Sequence, residues 1–126
     1  MNHQIGLIGG GNMAQAIIAG LLKSGRSSSD ILVSDPNQDC RKALAEMGIT
    51  SFADSAPVMA QADLIVLAVK PQIMDSVLTT LVDSLRATQV IISIAAGITI
   101  HTIRRQLNDA QNPVVRVMPN TPALVG

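Results

Sequence analysis

The stretch IGLIGGGNMAQAI, residues 5–17, sets three consecutive glycines between an apolar run and a second stretch whose apolar residues recur at helical spacing. Glycine loses more backbone freedom on folding than any other residue. Three in a row therefore imply that something must approach the backbone closely at this point. Gly9, Gly11 and Ala14 spell G-x-G-x-x-A between a predicted strand and a predicted helix. In that setting the first glycine makes a tight turn, the second lets a pyrophosphate reach the backbone, and the alanine lets helix and strand pack closely. Free N–H groups at the start of the helix, with the helix dipole behind them, favour the phosphates.

Asp35 stands at the end of the second apolar run, about 20 residues beyond the motif, where an acid ordinarily takes the adenosine-ribose hydroxyls. The pattern reads as a dinucleotide site. Two competing readings are a glycine turn that merely joins strand to helix and a methyl-donor-binding domain of similar build. A carboxylate beside the ribose favours NAD and repels the 2′-phosphate of NADP, whereas Ser34, Asn37 and Arg41 nearby can bind that phosphate. The residues alone leave NADPH and NADH open, and Arg41 equally reads as a solvated helix residue.

Working outward, short apolar runs alternate with amphipathic stretches, the pattern of βαβ units. Strands are predicted over 4–8, 31–34, 49–52 (the weakest), 64–69, 90–94 and 114–117, and helices over 12–24, 38–47, 56–61, 73–85 and 100–107. Several strands are continuously apolar, as strands covered on both faces must be. Gly25 and Gly48 follow helical stretches and suit their C-terminal caps. Pro71 suits the first turn of a helix, and Thr99 suits an N-cap. The expected fold class is α/β: a Rossmann-type, doubly wound, mainly parallel sheet with helices on both faces, forming one NAD(P)-binding domain over residues 1–126.

Nine Lys plus Arg balance nine Asp plus Glu, so no field of one sign draws nucleic acid or an anionic membrane surface. The apolar runs fall far short of the ~18 residues of a membrane-spanning helix. The N-terminus has no basic region before its apolar stretch, so no secretory leader is expected. Cys40 is the single cysteine; it is compatible with a reducing compartment, and a cytoplasmic location is expected. With His3 and His101 far apart, no metal-ligand cluster stands out. His101 reads as a surface residue and His3 shows no evident partner. Arg116 interrupts an apolar strand, where an unpaired charge is costly, which points to an ion pair or an edge position.

Three later segments go beyond a generic dinucleotide fold: LAVKPQ at 67–72, SIAAG at 93–97 and VVRVMPNTPALVG at 114–126. Together with residues 5–17, and in this order, they resemble the pyrroline-5-carboxylate reductase family along the whole chain. The resemblance implies reduction of the cyclic imine 1-pyrroline-5-carboxylate to L-proline by hydride from NADPH, the usual family cofactor, or NADH. It also implies that Asn12 and Met13 meet the pyrophosphate, and Ser34 and Asp35 the adenosine ribose. By the same resemblance Ala68, Val69, Lys70 and Pro71 line the middle of the cofactor, with Ala95, Ala96 and Asn120 nearer the nicotinamide.

Each assignment has a plainer rival. Ala68 and Val69 can simply finish a buried strand, and Lys70 can be solvated. Pro119 and Pro122 bracket a turn that reads either as a chain exit or as a site loop presenting Asn120. The resemblance further implies a C-terminal helical domain, absent from these 126 residues, that mediates homo-oligomerisation and holds the groups that bind substrate. No catalytic residue is therefore expected in this segment, which should bind cofactor weakly, turn over little and expose apolar surface that self-associates. The alternatives are another oxidoreductase of the 6-phosphogluconate dehydrogenase-like group and a non-catalytic dinucleotide-binding module.

Overall fold

The computed structural model describes residues 3–117. It runs β1 (Ile5–Ile8), α1 (Asn12–Lys23), β2 (Ile31–Ser34), α2 (Gln38–Glu46), β3 (Thr50–Phe52), α3 (Ala56–Gln61), β4 (Leu64–Leu67), α4 (Met74–Leu81), β5 (Val90–Ser93), α5 (Ile100–Gln106) and β6 (Val114–Arg116). Neighbouring strands are all parallel, in the order β3-β2-β1-β4-β5-β6. The chain builds outward from β1 through β2 to β3, then returns to build the other way from β4. Where the direction reverses, between β1 and β4, the loops diverge and leave a crevice at the carboxyl ends of the strands.

Side chains alternate across the sheet, as the period of two requires. Leu7, Ile31, Val33 and Val66 join Ile18 of α1 and Leu44 of α2 on one face. Leu32, Ile65, Leu67 and Ile91 join α3, α4 and Ile103 of α5 on the other. Both faces of the central strands are thus buried, which is why their sequences are continuously apolar. No helix among the described residues is long and apolar enough to cross a membrane.

The predicted elements are all present, most of them a residue or more shorter than expected, while β2 and α3 have the expected bounds. β4 ends at Leu67, two residues before the expected end, because the apolar residues continue past its last paired position. The Ala68 amide still donates to the Ile8 carbonyl at 2.8 Å, after which Lys70, extended as a residue before proline tends to be, hands the chain to Pro71. Pro71 opens a single 3₁₀ turn, and α4 itself begins at Met74. Beyond Leu81 the helix tightens into a second such turn, where the Thr80 and Ser84 hydroxyls bond back to helix carbonyls. The expected caps form: Gly25 and Gly48 take positive φ, and the Thr99 hydroxyl accepts from the Thr102 amide.

At the amino-terminal edge of the sheet, Gln89 is fully buried. Its side-chain amide donates to the Met59 and Ala62 carbonyls at the end of α3, at 2.7 and 2.9 Å, and its side-chain oxygen accepts from the Arg86 amide. Arg86 and Asn112 complete the network, Arg86 donating to the Ala62 carbonyl and Asn112 to the Gln89 carbonyl. A buried group stripped of its partner costs about 1–3 kcal/mol. Gln89→Leu is therefore expected to lower unfolding free energy by about 2 kcal/mol in urea titration. A loss below about 0.5 kcal/mol would show that the network adds nothing to stability.

Candidate functional site

The three glycines sit in three different surroundings. Gly9 has φ +105°, and a Cβ placed on it would lie 2.7 Å from the Ala68 carbonyl oxygen. Its amide donates to the Ser34 carbonyl at 2.8 Å, tying the ends of β1 and β2 together. At Gly10 a Cβ would press on Leu44 of α2, 2.9 Å away. A Cβ on Gly11 would meet no protein atom within 4 Å, and its φ of −78° is ordinary. Nothing in the described protein forbids a side chain at Gly11, so the space in front of it is free for a ligand.

Gly11 is also the N-cap of α1, and no side chain caps that helix among the described residues. Asn37 caps α2, and Thr99 caps α5. The first-turn amides of α1, next to an open glycine and with no acid in that turn, form a place where an anion fits. Ala14 is buried, packing α1 against the sheet, as the motif implies.

Two clefts, each of about 540 Å³, run along the carboxyl ends of the strands and share Gly9, Asp35, Val69 and Ile73. One is lined by Gly11, Asn12, Met13, Asn37, Cys40, Ala68 and Lys70 as well. The other is bounded by Ser34, Pro36, the 53–55 loop, Val77 and Thr80. Asp35 lies at their junction. Its Oδ2 accepts the Gly10 amide at 2.7 Å and its Oδ1 the Asn37 amide at 2.8 Å. Burial, followed by the nearby Asp35 and Asp39 carboxylates and a hydrogen bond to Asp35, pushes the Cys40 thiol up. That direction lowers the thiolate fraction of Cys40.

Eight of the expected positions, Gly9, Gly11, Asn12, Met13, Asp35, Ala68, Val69 and Lys70, come together in the first cleft. Ser34 borders the second, though it is 4 % exposed. Ala68 and Val69 do not finish the strand; they leave it half-buried and face the crevice. Pro71 shapes the approach to Ile73. Ala95 and Ala96 follow β5 and border neither of these clefts, while Asn120 and its flanking prolines lie outside the described residues.

The far wall, formed by Ile73, Val77 and Thr80 with the 53–55 loop, is absent from the motif reading. It is the β3-β2-β1 strand order of the folded sheet that sets the β3 exit beside that of β2. His101 is exposed, as expected. His3 has a partner after all, its Nδ1 lying 3.6 Å from Asp63 Oδ2, because β1 and β4 are neighbours. Arg116 is exposed on the edge strand β6, the edge alternative of the two expected.

Comparisons with known proteins agree with this geometry. A pyrroline-5-carboxylate reductase of Haemophilus influenzae is 43% identical over 127 residues, covering 100% of this chain and 46% of that protein. The solved pyrroline-5-carboxylate reductase of Coxiella burnetii superposes with a TM-score of 0.88 at 35% identity, over 99% of this chain and 47% of that one. The Plasmodium falciparum pyrroline carboxylate reductase, solved with NADP bound, gives a TM-score of 0.82 at 28% identity over 98% of this chain and 45% of that one. The chain thus spans about half the length of the relatives it matches. The family described as NADP oxidoreductase, coenzyme F420-dependent, matches over residues 4–97. The chain belongs to that family, and its likeness to the pyrroline-5-carboxylate reductases runs its whole length.

Proposed function

We propose that residues 1–126 form the cofactor-binding domain of a pyrroline-5-carboxylate reductase, an oxidoreductase of proline biosynthesis that uses NAD(P)H. The observation that carries this reading is the open glycine turn at an uncapped helix, set at the switch point of the sheet. Whole-length likeness to reductases of that name supports the substrate. Bound in the crevice, the nicotinamide ring supplies a hydride for the imine carbon of 1-pyrroline-5-carboxylate. The chain's own part is to hold and orient: α1 amides and Gly11 on the pyrophosphate, Ser34 and Asp35 at the adenosine end. The exit of β4, through Ala68, Val69 and Lys70, forms the floor between them, while Pro71, Ala95, Ala96 and Asn120 complete the expected contacts toward the nicotinamide. A cytoplasmic location belongs to the same reading.

A chimera carrying residues 1–126 in place of the matching half of the Haemophilus influenzae relative tests the assignment. It is expected to oxidise NADPH only when 1-pyrroline-5-carboxylate is present. A folded chimera that binds NADPH but shows no such oxidation overturns the substrate. The 126-residue chain alone is expected to bind NADPH weakly and to turn over little, since it spans only about half the length of the relatives it matches; brisk proline formation by it would contradict this.

Homo-oligomerisation belongs to the same proposal. An apolar groove of about 410 Å³, lined by Ile5, Ile17, Leu21, Leu64, Ile92 and Val117 among others, lies open on the α1 side of β4 and β5. Apolar surface of this kind gains free energy by leaving water. Sedimentation velocity over a concentration series is expected to show mass-action association, and a single monomeric species throughout would refute it.

A further inference from the structure

Resting on the dinucleotide reading above, we propose that Arg41 selects a 2′-phosphorylated dinucleotide and that Asp35 serves as a latch on the glycine turn. Asp35 stands where an acid ordinarily accepts the ribose hydroxyls and turns NADP away. Here both of its carboxylate oxygens are engaged by backbone amides, Gly10 at 2.7 Å and Asn37 at 2.8 Å. These bonds clamp the glycine turn to the β2–α2 turn and set two amide dipoles against the negative charge. The carboxylate thereby helps to hold the site's shape, with one acceptor position on each oxygen still open.

Arg41 supplies the opposite charge at the same end. It sits in the first turns of α2, yet it does not extend into solvent: it is half-buried, and its Nη1 donates to the Asp35 carbonyl at 2.9 Å. One N–H of a guanidinium with five is used there. Among the described residues no carboxylate lies within 4.0 Å of it. Arg41 itself lines neither cleft, but Asn37 and Cys40 line one of them together with Asp35, and the bond to the Asp35 carbonyl ties the guanidinium to that wall. Of the charged side chains lining the two clefts, Asp35 and Asp54 stand at the β2 and β3 exits and Lys70 at the β4 exit. A doubly charged phosphate would be repelled by the two carboxylates, and Arg41 provides the planar, multidentate donor that such a group requires.

Calorimetric titration of the 126-residue chain with NADPH and NADH separates these roles, using Arg41→Gln, Arg41→Lys and Asp35→Asn with thermal melts to confirm folding. Arg41→Gln is expected to weaken NADPH binding about tenfold or more, the scale of a lost charge-assisted hydrogen bond, and to leave NADH within about twofold. Arg41→Lys should recover part of the loss, and added salt should erode NADPH affinity more than NADH affinity. Asp35→Asn should weaken both cofactors alike. Equal losses of NADPH and NADH in Arg41→Gln, or no loss of either, would overturn the proposal, as would an Asp35→Asn variant that gains NADPH affinity at the expense of NADH. If the unaltered chain binds neither cofactor, the dinucleotide reading itself falls, an outcome distinct from unchanged discrimination between two cofactors that do bind.

Discussion

Gly9→Ala is expected to destabilise the fold by about 3–5 kcal/mol, the sum of a strained left-handed backbone and an overpacked contact. The added Cβ would lie 2.7 Å from the Ala68 carbonyl oxygen and 2.9 Å from its carbon. Those are backbone atoms of the chain leaving β4, held there by the bond from the Ala68 amide to the Ile8 carbonyl. No side-chain rotamer can relieve the contact; the β1–α1 turn must move, and the Gly9 bond to Ser34 is lost with it. Against a total stability of about 5–15 kcal/mol for an ordinary domain, such a loss leaves a marginal protein. Urea titration followed by circular dichroism measures it, and a loss under about 1 kcal/mol would show that the turn can adapt.

Gly11→Ala, two residues on, is expected to do the opposite to the fold and the worst to the site. Its φ of −78° and ψ of −162° suit any residue, and no protein atom lies near the new methyl group. Replacing glycine at such a position stiffens the unfolded chain, so stability should hold or rise by up to about 1 kcal/mol. The methyl group would occupy the space in front of the uncapped α1 amides, and NADPH affinity should fall at least about tenfold through lost phosphate hydrogen bonds. Unchanged affinity in a calorimetric titration would mean that no phosphate approaches Gly11. A fall in stability would mean that the glycine has a structural duty in the protein itself.

The contrast between these two glycines marks how far local pattern reaches. Strand and helix order follows from apolar periodicity, because a residue's burial along an element is set by geometry of period 2 or 3.6. The crevice follows as well, since a glycine motif between a strand and a helix carries its own turn chemistry. Element ends are less legible: Ala68, Val69 and Ile94 are apolar beyond the last paired residues, and only the neighbouring strand decides where pairing stops.

By itself, then, the sequence determined the α/β class, the alternation of elements, the caps at Gly48 and Thr99, and the place of the glycine turn, all of which are written in residues close together along the chain. Tertiary structure alone decided that Gly9 is excluded by Ala68, that His3 meets Asp63, that Asp35 is bonded to Gly10 and that Arg41 turns back over the end of β2. The physical reason is that short-range pattern governs backbone conformation, whereas a charged group's partners are chosen by whichever strands the sheet order makes neighbours.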